Sequence, residues 1–311
     1  MTLRGALLSF RIQRFESTVV VMATLLSVGV SAVVMTLFYG GGYATCFGRE
    51  EPVLTSLCQS AAAEWLHKIA RVSLALVPIF PIIGGFLVGG PIVAKELETG
   101  TARLAWSLGP SRMRWFAQRV VPVFLMFLIT CFAIGVTADA LLKMVQPSVD
   151  VDASFFAYRA RGILIPILGL LVASIALAFG ALTGRTVPTI ILTLMLFGGL
   201  FAAVDSVEKK VLLGEAAVSG GDYSYSDNNL YLDYKFQLPD GRLMTYEELI
   251  AEHPEFNENG WDESSGIQNV ALFIPGARYH DVERREGLVL LGFATIFVTI
   301  AAVTVMRRRP R

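Results

Sequence analysis

Few side chains in this chain could carry out catalysis. Of its 311 residues only three are histidines, His67, His253 and His280, and none belongs to a His-Glu-x-x-His zinc motif. The sequence has no Gly-x-Ser-x-Gly nucleophile elbow and no pair of acidic residues within an apolar segment. Enzymatic chemistry inside a membrane is therefore not expected of this chain.

Nucleotide binding and ion coupling also lack their usual residues. A Walker A phosphate loop needs Gly-Lys followed by Ser or Thr, and the pair Gly-Lys does not occur. If the protein uses ATP, another chain binds it. The long apolar segments hold no ionisable residue well inside them, which disfavours proton or sodium coupling. Sodium binding by backbone carbonyls at broken helices stays open.

The stretch at 94–115, AKELETGTARLAWSLGPSRMRW, is the polar and basic interruption of an otherwise apolar chain. Gly100 is suited to end a helix because glycine readily adopts the left-handed conformation, and Thr101 can serve as the N-cap of the next one. Gly109–Pro110 then supplies a stop. The pattern predicts a separate helix of about two turns at 101–108.

That short helix is too apolar to be a solvated connector. Leu104 and Leu108 fall on one face and Trp106 is offset from them, while Ser111 can cap the helix that follows. The apolar side chains must lie on lipid headgroups or on another protein, because tryptophan is typical of both surfaces. The residues alone leave these two interpretations open.

Six apolar segments are long enough to cross a bilayer, which takes about 20 residues each. Hydrophobic residues make up 54% of the chain, charged residues only 17%, and the mean hydropathy is +0.58. The sequence predicts an all-α polytopic membrane protein, with a tight hairpin at 184–186. The predicted spans are 17–39, 72–94, 117–138, 162–184, 187–204 and 287–306.

Basic residues predict the orientation, since short cytoplasmic loops are rich in lysine and arginine. With the N-terminus inside, the inner segments and Arg119 hold 13 of the 26 basic residues but only three acidic ones, Glu16, Glu96 and Glu98. Both termini are predicted to be cytoplasmic. Residues 1–16 are predicted to form a helix on the membrane surface; a frayed basic terminus is the alternative. Residues 287–311 form the last span and a basic tail.

Three loops face outward in this topology. Loop 40–71 holds Cys46 and Cys58, which could close a disulfide on an oxidising face or stay as two thiols. Loop 139–161 is short. The third, 205–286, is long enough for a small extracytoplasmic α+β unit.

Local signals in that third loop predict regular structure. The run NLYLDYKFQL is aromatic and partly alternating, as in a strand, and PDGR follows as a turn. Thr245 and Glu248 then have capping-box spacing and predict a helix start. The acidic residues of the loop are typical of a solvated face, and no calcium-loop pattern accompanies them.

The second span is unusually rich in helix-perturbing residues. Pro78, Pro81 and Pro91 are expected to kink it or loosen its hydrogen bonds. Gly85 and Gly89 have Gly-x-x-x-Gly spacing, which allows close helix approach. Packing within one subunit and a seam between two copies fit equally well, and a kinked helix would also suit the wall of a gated pathway.

The stretch 94–115 resembles the cytoplasmic loop of type-2 ABC exporter permeases, in which an acidic pair and Gly-Thr precede a run ending in Arg and Trp. A weaker similarity is IPGARYHDVERREGLVLLG at 274–292, before the last span, although YHDVERRE is more charged than that family's pattern. The similarity also extends over the whole topology of six spans and a large outer loop.

The resemblance implies a plasma-membrane permease subunit that pairs with a second copy and with separate ABC ATPase subunits. ATP and Mg would be bound by the ATPase; this chain would bind no cofactor or metal, and no nucleic acid. Helix 101–108 would be the coupling helix. The residues implied to contact the ATPase are Glu96, Glu98 and Arg103 as polar rim contacts, Leu104, Trp106 and Leu108 as an apolar anchor, and Gly100, Thr101 and Arg112. Arg112 and Arg114 are also suited to anionic headgroups.

Two other functions stay open at this point. A membrane-anchored sensor or binding protein could act through its unit at 205–286 without transport. A secondary transporter or an unrecognised membrane enzyme is a third hypothesis. The cargo of an exporter is not specified by these residues, although uncharged spans slightly favour an apolar or amphipathic one.

Overall fold

The computed structural model describes residues 14–46, 58, 60–108, 111–147, 149–219, 226, 228–252 and 266–308. Outside the described residues lie most of the predicted surface helix at 1–16, the predicted stop Gly109–Pro110, His253 and the end of the basic tail. The chain forms two compact units. The membrane unit comprises 1–148, 157–201 and 283–311, and the insert unit comprises 149–156 and 202–282.

Helices dominate the described residues, of which 77% are helical. Six of the helices, α1, α3, α5, α6, α7 and α9, are long and apolar enough to cross a membrane, which confirms the predicted polytopic class. The helices of the described chain are α1 Arg14–Gly40, α2 Ala61–Leu76, α3 Ile79–Glu98, α4 Thr101–Leu108, α5 Arg112–Val145, α6 Leu164–Thr183, α7 Thr186–Glu215, α8 Tyr246–Glu252 and α9 Tyr279–Arg307.

The second span differs most from its prediction. It begins at Ile79 rather than at residue 72. The separate helix α2 precedes it, and α2 runs from the predicted outer loop into the first residues of the predicted span. Pro78 and Pro81 explain the break, because proline lacks the backbone N–H that would continue the helical hydrogen bonds of the preceding turn. Helices α5, α7 and α9 are longer than predicted, so Asp139 lies within α5 rather than at its end.

Helix α6 is the centre of the membrane unit. It is apolar all round and almost wholly buried, whereas α1, α7 and α9 leave many large apolar side chains exposed, as helices that face lipid must. A Cβ atom on Gly89 would meet the backbone of Ala173, and one on Gly85 would meet the side chain of Val172. Gly85 and Gly89 therefore provide close packing of α3 on α6 within one chain, one of the two roles expected for them.

The insert unit contains a four-stranded antiparallel sheet in the order β1–β4–β2–β3. A bulge between Tyr231 and Asp233 explains why the alternation in this stretch is only partial, since an extra residue reverses the faces beyond it. Next to the sheet, α8 packs Leu249 into a small core. The strands are β1 Ala217–Val218, β2 Leu230–Gln237, β3 Leu243–Met244 and β4 Gln268–Ile274.

The local signals of the insert unit are confirmed by its hydrogen bonds. The Thr245 N–H donates to a Glu248 carboxylate oxygen at 2.8 Å, and the Glu248 N–H donates to the Thr245 hydroxyl at 3.3 Å. The turn between β2 and β3 places Gly241 at a φ of 85°, a conformation that favours glycine. In the membrane unit, Cys46 and Cys58 are joined by a disulfide with their Cα atoms 5.2 Å apart.

Candidate functional site: helix α4 and the helix-end network

Helix α4 is separated from the second and third spans by a break in the helical backbone at each of its ends. Gly100, at a φ of 75°, ends the run from α3, and the Ser111 hydroxyl accepts a hydrogen bond from the Arg114 N–H at 3.2 Å to cap α5. The helix therefore has the bounds Thr101–Leu108 that the pattern predicts. Thr101 itself is not a side-chain cap as expected, because its hydroxyl donates to the Glu96 carbonyl at 3.3 Å.

One face of α4 packs on its own chain. Ala102 is buried, and the Trp106 ring stands edge-on to the Trp115 ring, with centroids 5.7 Å apart. The Arg112 guanidinium lies 5.0 Å from the centre of the Trp106 ring. Trp106 is thus half-buried and braces α4 against α5, and its predicted place in the apolar anchor stays a prediction.

The other face of α4 is open. Leu104 is 64% exposed. Ser107 is also exposed, and its hydroxyl donates a hydrogen bond to the Leu104 carbonyl. The side chains of Arg103 and Leu108 lie outside the described part of the structure. Of the predicted apolar anchor, Leu104 is the described residue that faces outward.

Glu96 does not lie at the rim of this surface. Its side chain is only 7% exposed and its carboxylate lies 3.0 Å from Nε of Arg119 on α5. A buried carboxylate is costly without an opposite charge, so Glu96 is committed to this pair and is unavailable to a partner protein. The prediction of a rim contact was wrong for this residue.

Glu98 is likewise engaged within the chain. One of its carboxylate oxygens accepts hydrogen bonds from the Thr186 N–H at 3.1 Å and the Thr186 hydroxyl at 2.9 Å. The first N–H groups of a helix have no partner inside the helix, and a negative charge there is favoured by the helix dipole. Glu98 of α3 therefore caps α7, a role that was not predicted, and its rim contact with a partner stays a prediction.

Arg112 caps the C-terminal end of a helix, where carbonyl groups lack hydrogen-bond donors. Its guanidinium donates to the carbonyls of Met306 and Arg308, at 3.1 and 2.6 Å, where α9 ends. Arg308 in turn donates to the Ala181 carbonyl at 3.0 Å in the last turn of α6. Arg112 thus serves these orphan carbonyls, a role that was not predicted, while its contact with an ATPase or with headgroups stays a prediction.

These contacts form a continuous helix-end network. A further ion pair, Lys95 with Glu16 at 3.3 Å, brings in α1, so the ends of all six membrane-spanning helices are joined around α4. Sequence reasoning missed the contacts of Arg119, Thr186 and Arg308, because their partners lie far away along the chain. The network consists of Glu16, Lys95, Glu96, Glu98, Arg112, Arg119, Thr186 and Arg308.

A family model described as ABC-2 membrane transporter related matches residues 17–208, more than half of the chain. The chain belongs to the ABC-2 membrane transporter related family. No curated protein and no solved structure matches it. The matched range runs from α1 to α7 and includes α4 with most of the helix-end network.

Membership in the ABC-2 family makes this chain a multi-pass membrane protein and the membrane subunit of a transporter. Such subunits are generally not catalytic, and the family implies partnership with an ATPase subunit. The geometry of α4 suits contact with an ATPase. Leu104 is exposed on one face, while Ala102 and Trp106 pack against the rest of the membrane unit.

A second charged cluster in the membrane unit was not predicted. Arg159 pairs with Glu286 at 2.6 Å, and Arg161, only 3% exposed, pairs with Asp139 at 3.3 Å. The backbone of Arg159 is left-handed, with a φ of 65°, a conformation uncommon outside glycine. Glu283 is also buried beside Asp139. The charged segment YHDVERRE thus supplies two acidic side chains that are buried in the membrane unit.

This cluster is not a metal centre. No group of three metal-ligating side chains converges within the described residues, and each of the two arginines faces an acidic partner. Buried ion pairs of this kind fix neighbouring elements in one arrangement, because removing either member leaves an uncompensated charge. Here the segment before α6 is tied to α5 and to α9.

Proposed function

We propose that this chain is the membrane-spanning subunit of an ATP-driven exporter and that α4 is its coupling helix. The observation that carries the proposal is the position of Leu104. It stands exposed on an eight-residue helix whose opposite face is braced by Trp106 and whose neighbours belong to the helix-end network. An exposed leucine at this place fits an apolar groove on a partner protein.

ATP and Mg would be bound by the partner ATPase, in keeping with the absence of a Walker A motif here. Closure of two ATPase subunits would displace α4. The Trp106–Trp115 contact and the Arg112 hydrogen bonds would pass that displacement to α5 and α9, and Glu98 would pass it to α7. Packed helices joined at their ends move as rigid bodies, so the spans would tilt together.

Assembly and orientation complete the proposal. Two copies would pair to enclose the pathway, with both termini and α4 on the cytoplasmic side of the plasma membrane and the insert unit outside. The basic residues of the short inner segments support this orientation. Export, rather than import, rests on the resemblance of 94–115 to type-2 exporter permeases.

The test is to substitute Leu104→Asp in the full chain and to co-purify it with its ABC ATPase partner, a separate chain that carries the Walker A motif. Removal of a hot-spot residue at an interface centre costs about 2 kcal/mol or more. We therefore expect affinity to fall about 30-fold or more, and permease-stimulated ATP hydrolysis to fall with it. Ser107→Ala is the matched control, since it alters the same exposed surface without removing an apolar side chain. Undiminished association of Leu104→Asp would overturn the coupling role.

A further inference from the structure

Helix α2 has two apolar faces. Leu66 and Ala70 are buried in a cluster with the ends of α1 and α5. A second stripe is exposed at helical spacing, and it continues across the break at Pro78 into Ile79 and Ile83 of α3. The stripe on α2 consists of Trp65, Ile69, Val72 and Leu76.

The packing partners of α2 set its depth. Glu16 lies at the α4 end of α1, in the helix-end network, and Val34 follows it by 18 positions. At about 1.5 Å per residue Val34 is about 27 Å away, close to the roughly 30 Å of a hydrocarbon core. Because Val34 and Phe38 pack with Leu66 and Ala70, α2 crosses the far edge of that core.

Polar residues beside the stripe match this depth. The Lys68 ammonium lies 5.5 Å from the centre of the Trp65 ring and 2.6 Å from the Glu64 carboxylate. Arg71 is exposed on the next turn. Tryptophan with flexible basic side chains is typical of the boundary between headgroups and acyl chains, where an apolar body meets a wet tip.

We propose that α2 is embedded at the headgroup–acyl boundary of the bilayer, on the side opposite α4. Val72 and Leu76 contact acyl chains, while Trp65 and Arg71 lie among the headgroups. Lipid is the occupant because the stripe is continuous with the exposed apolar surface of a membrane-spanning helix and is flanked by basic residues. The α2 surface is therefore a lipid-binding anchor, independent of whether α4 binds an ATPase.

Spin labels on the full chain in phosphatidylethanolamine–phosphatidylglycerol vesicles test this placement. Ile69→Cys and Val72→Cys report on the stripe, and Glu64→Cys and Arg71→Cys are matched controls on the polar face. We expect the stripe labels to collide more with oxygen than with a water-soluble nickel complex, and the control labels to show the reverse ratio. Preferential collision of the stripe labels with nickel would overturn the proposal, because the stripe would then face water.

Shielding of both stripe labels from both reagents would also overturn it, since a second copy or another protein would then cover the stripe. Trp65 offers a measurement without labels. The fluorescence of Trp65 is obtained as the difference in emission between the unaltered chain and Trp65→Phe. Lipids brominated near the headgroup should quench it most strongly. If lipids brominated at every depth failed to quench it, contact with lipid would be contradicted.

Discussion

At the scale of single residues, Gly89 sets how closely α3 approaches α6. A Cβ atom there would overlap the backbone of Ala173, which cannot move aside as a side-chain tip can. We predict that Gly89→Ala lowers the free energy of unfolding by about 1–3 kcal/mol, the usual cost of overpacking. Thermal unfolding of the purified chain in detergent would measure the change.

Gly199 on α7 gives the matched control, because a Cβ atom there would meet no atom within 4 Å. In a helix, alanine is preferred to glycine by roughly 0.5–1 kcal/mol, so Gly199→Ala should leave the melting temperature unchanged or raise it. Equal destabilisation by the two substitutions would show that close packing at Gly89 is not the cause.

The same scale shows what the sequence could predict about the site. Gly100 and Ser111 could be assigned because their local conformations and caps depend on neighbours in the chain. Glu98 and Arg112 were assigned to a partner protein, yet they cap α7 and α9 from far along the sequence. A charged residue near an apolar segment carries no local sign of which helix end it will reach.

At the scale of elements, the capping box of α8 makes the insert unit sensitive to acid. The hydrogen bond from the Thr245 N–H holds the pKa of Glu248 below its ordinary value of 4.5. The ionised Glu248 carboxylate therefore stabilises the start of α8 fully above about pH 4.5. This stabilisation is lost as the pH falls through the lower pKa that Glu248 has in the folded state. The protection factors of the amide hydrogens across Tyr246–Glu252, which correct for the intrinsic exchange rate at each pH, should fall over that acidic window in the full chain.

Substitutions can show whether the acid sensitivity comes from the Thr245–Glu248 capping box or from any negative charge in the first turn of α8. Thr245→Ala should cost about 1 kcal/mol of helix stability and speed exchange in α8 at neutral pH, and Glu248→Gln should remove the acid sensitivity. Glu247→Gln removes an exposed acidic side chain from the same turn without touching the box. If Glu247→Gln abolished the pH response as well, the box would not be its source.

Element boundaries were predictable where breakers and caps coincide, as at both ends of α4. The second span was misplaced because hydropathy continues through residues 72–78, whereas the missing N–H groups of Pro78 and Pro81 end α2 before α3 begins. The full lengths of α5 and α7 were also missed, because their last turns are polar enough to resemble loops although their hydrogen bonds continue.

At the scale of the whole molecule, the number of spans and the class of helical membrane protein could be predicted from the apolar segments, whereas the tertiary contacts could not. The central position of α6 depends on which apolar helix is surrounded by the others, and hydropathy is similar for α5, α6, α7 and α9. The ion pairs of Arg159 and Arg161 join segments more than 20 residues apart, so a single sequence gives no register for them.

Orientation is the whole-molecule property that the coupling role requires. The chain has three cysteines; Cys46 and Cys58 are bridged and Cys131 is buried, so it should react little with a membrane-impermeant maleimide. We predict that Glu247→Cys is labelled in intact cells, because the proposed orientation places the insert unit outside. Ser107→Cys should be labelled only after permeabilisation, because the proposed orientation places α4 on the cytoplasmic side.

The unaltered chain provides the internal standard for that experiment. Mild reduction of intact cells should make Cys46 and Cys58 reactive, since their bridge lies at the end of α1 opposite the helix-end network. Labelling of Ser107→Cys in intact cells would place α4 on the outer surface, away from any ATP. Because an ATPase could not then reach Leu104, the same result would remove the physical basis for coupling through α4.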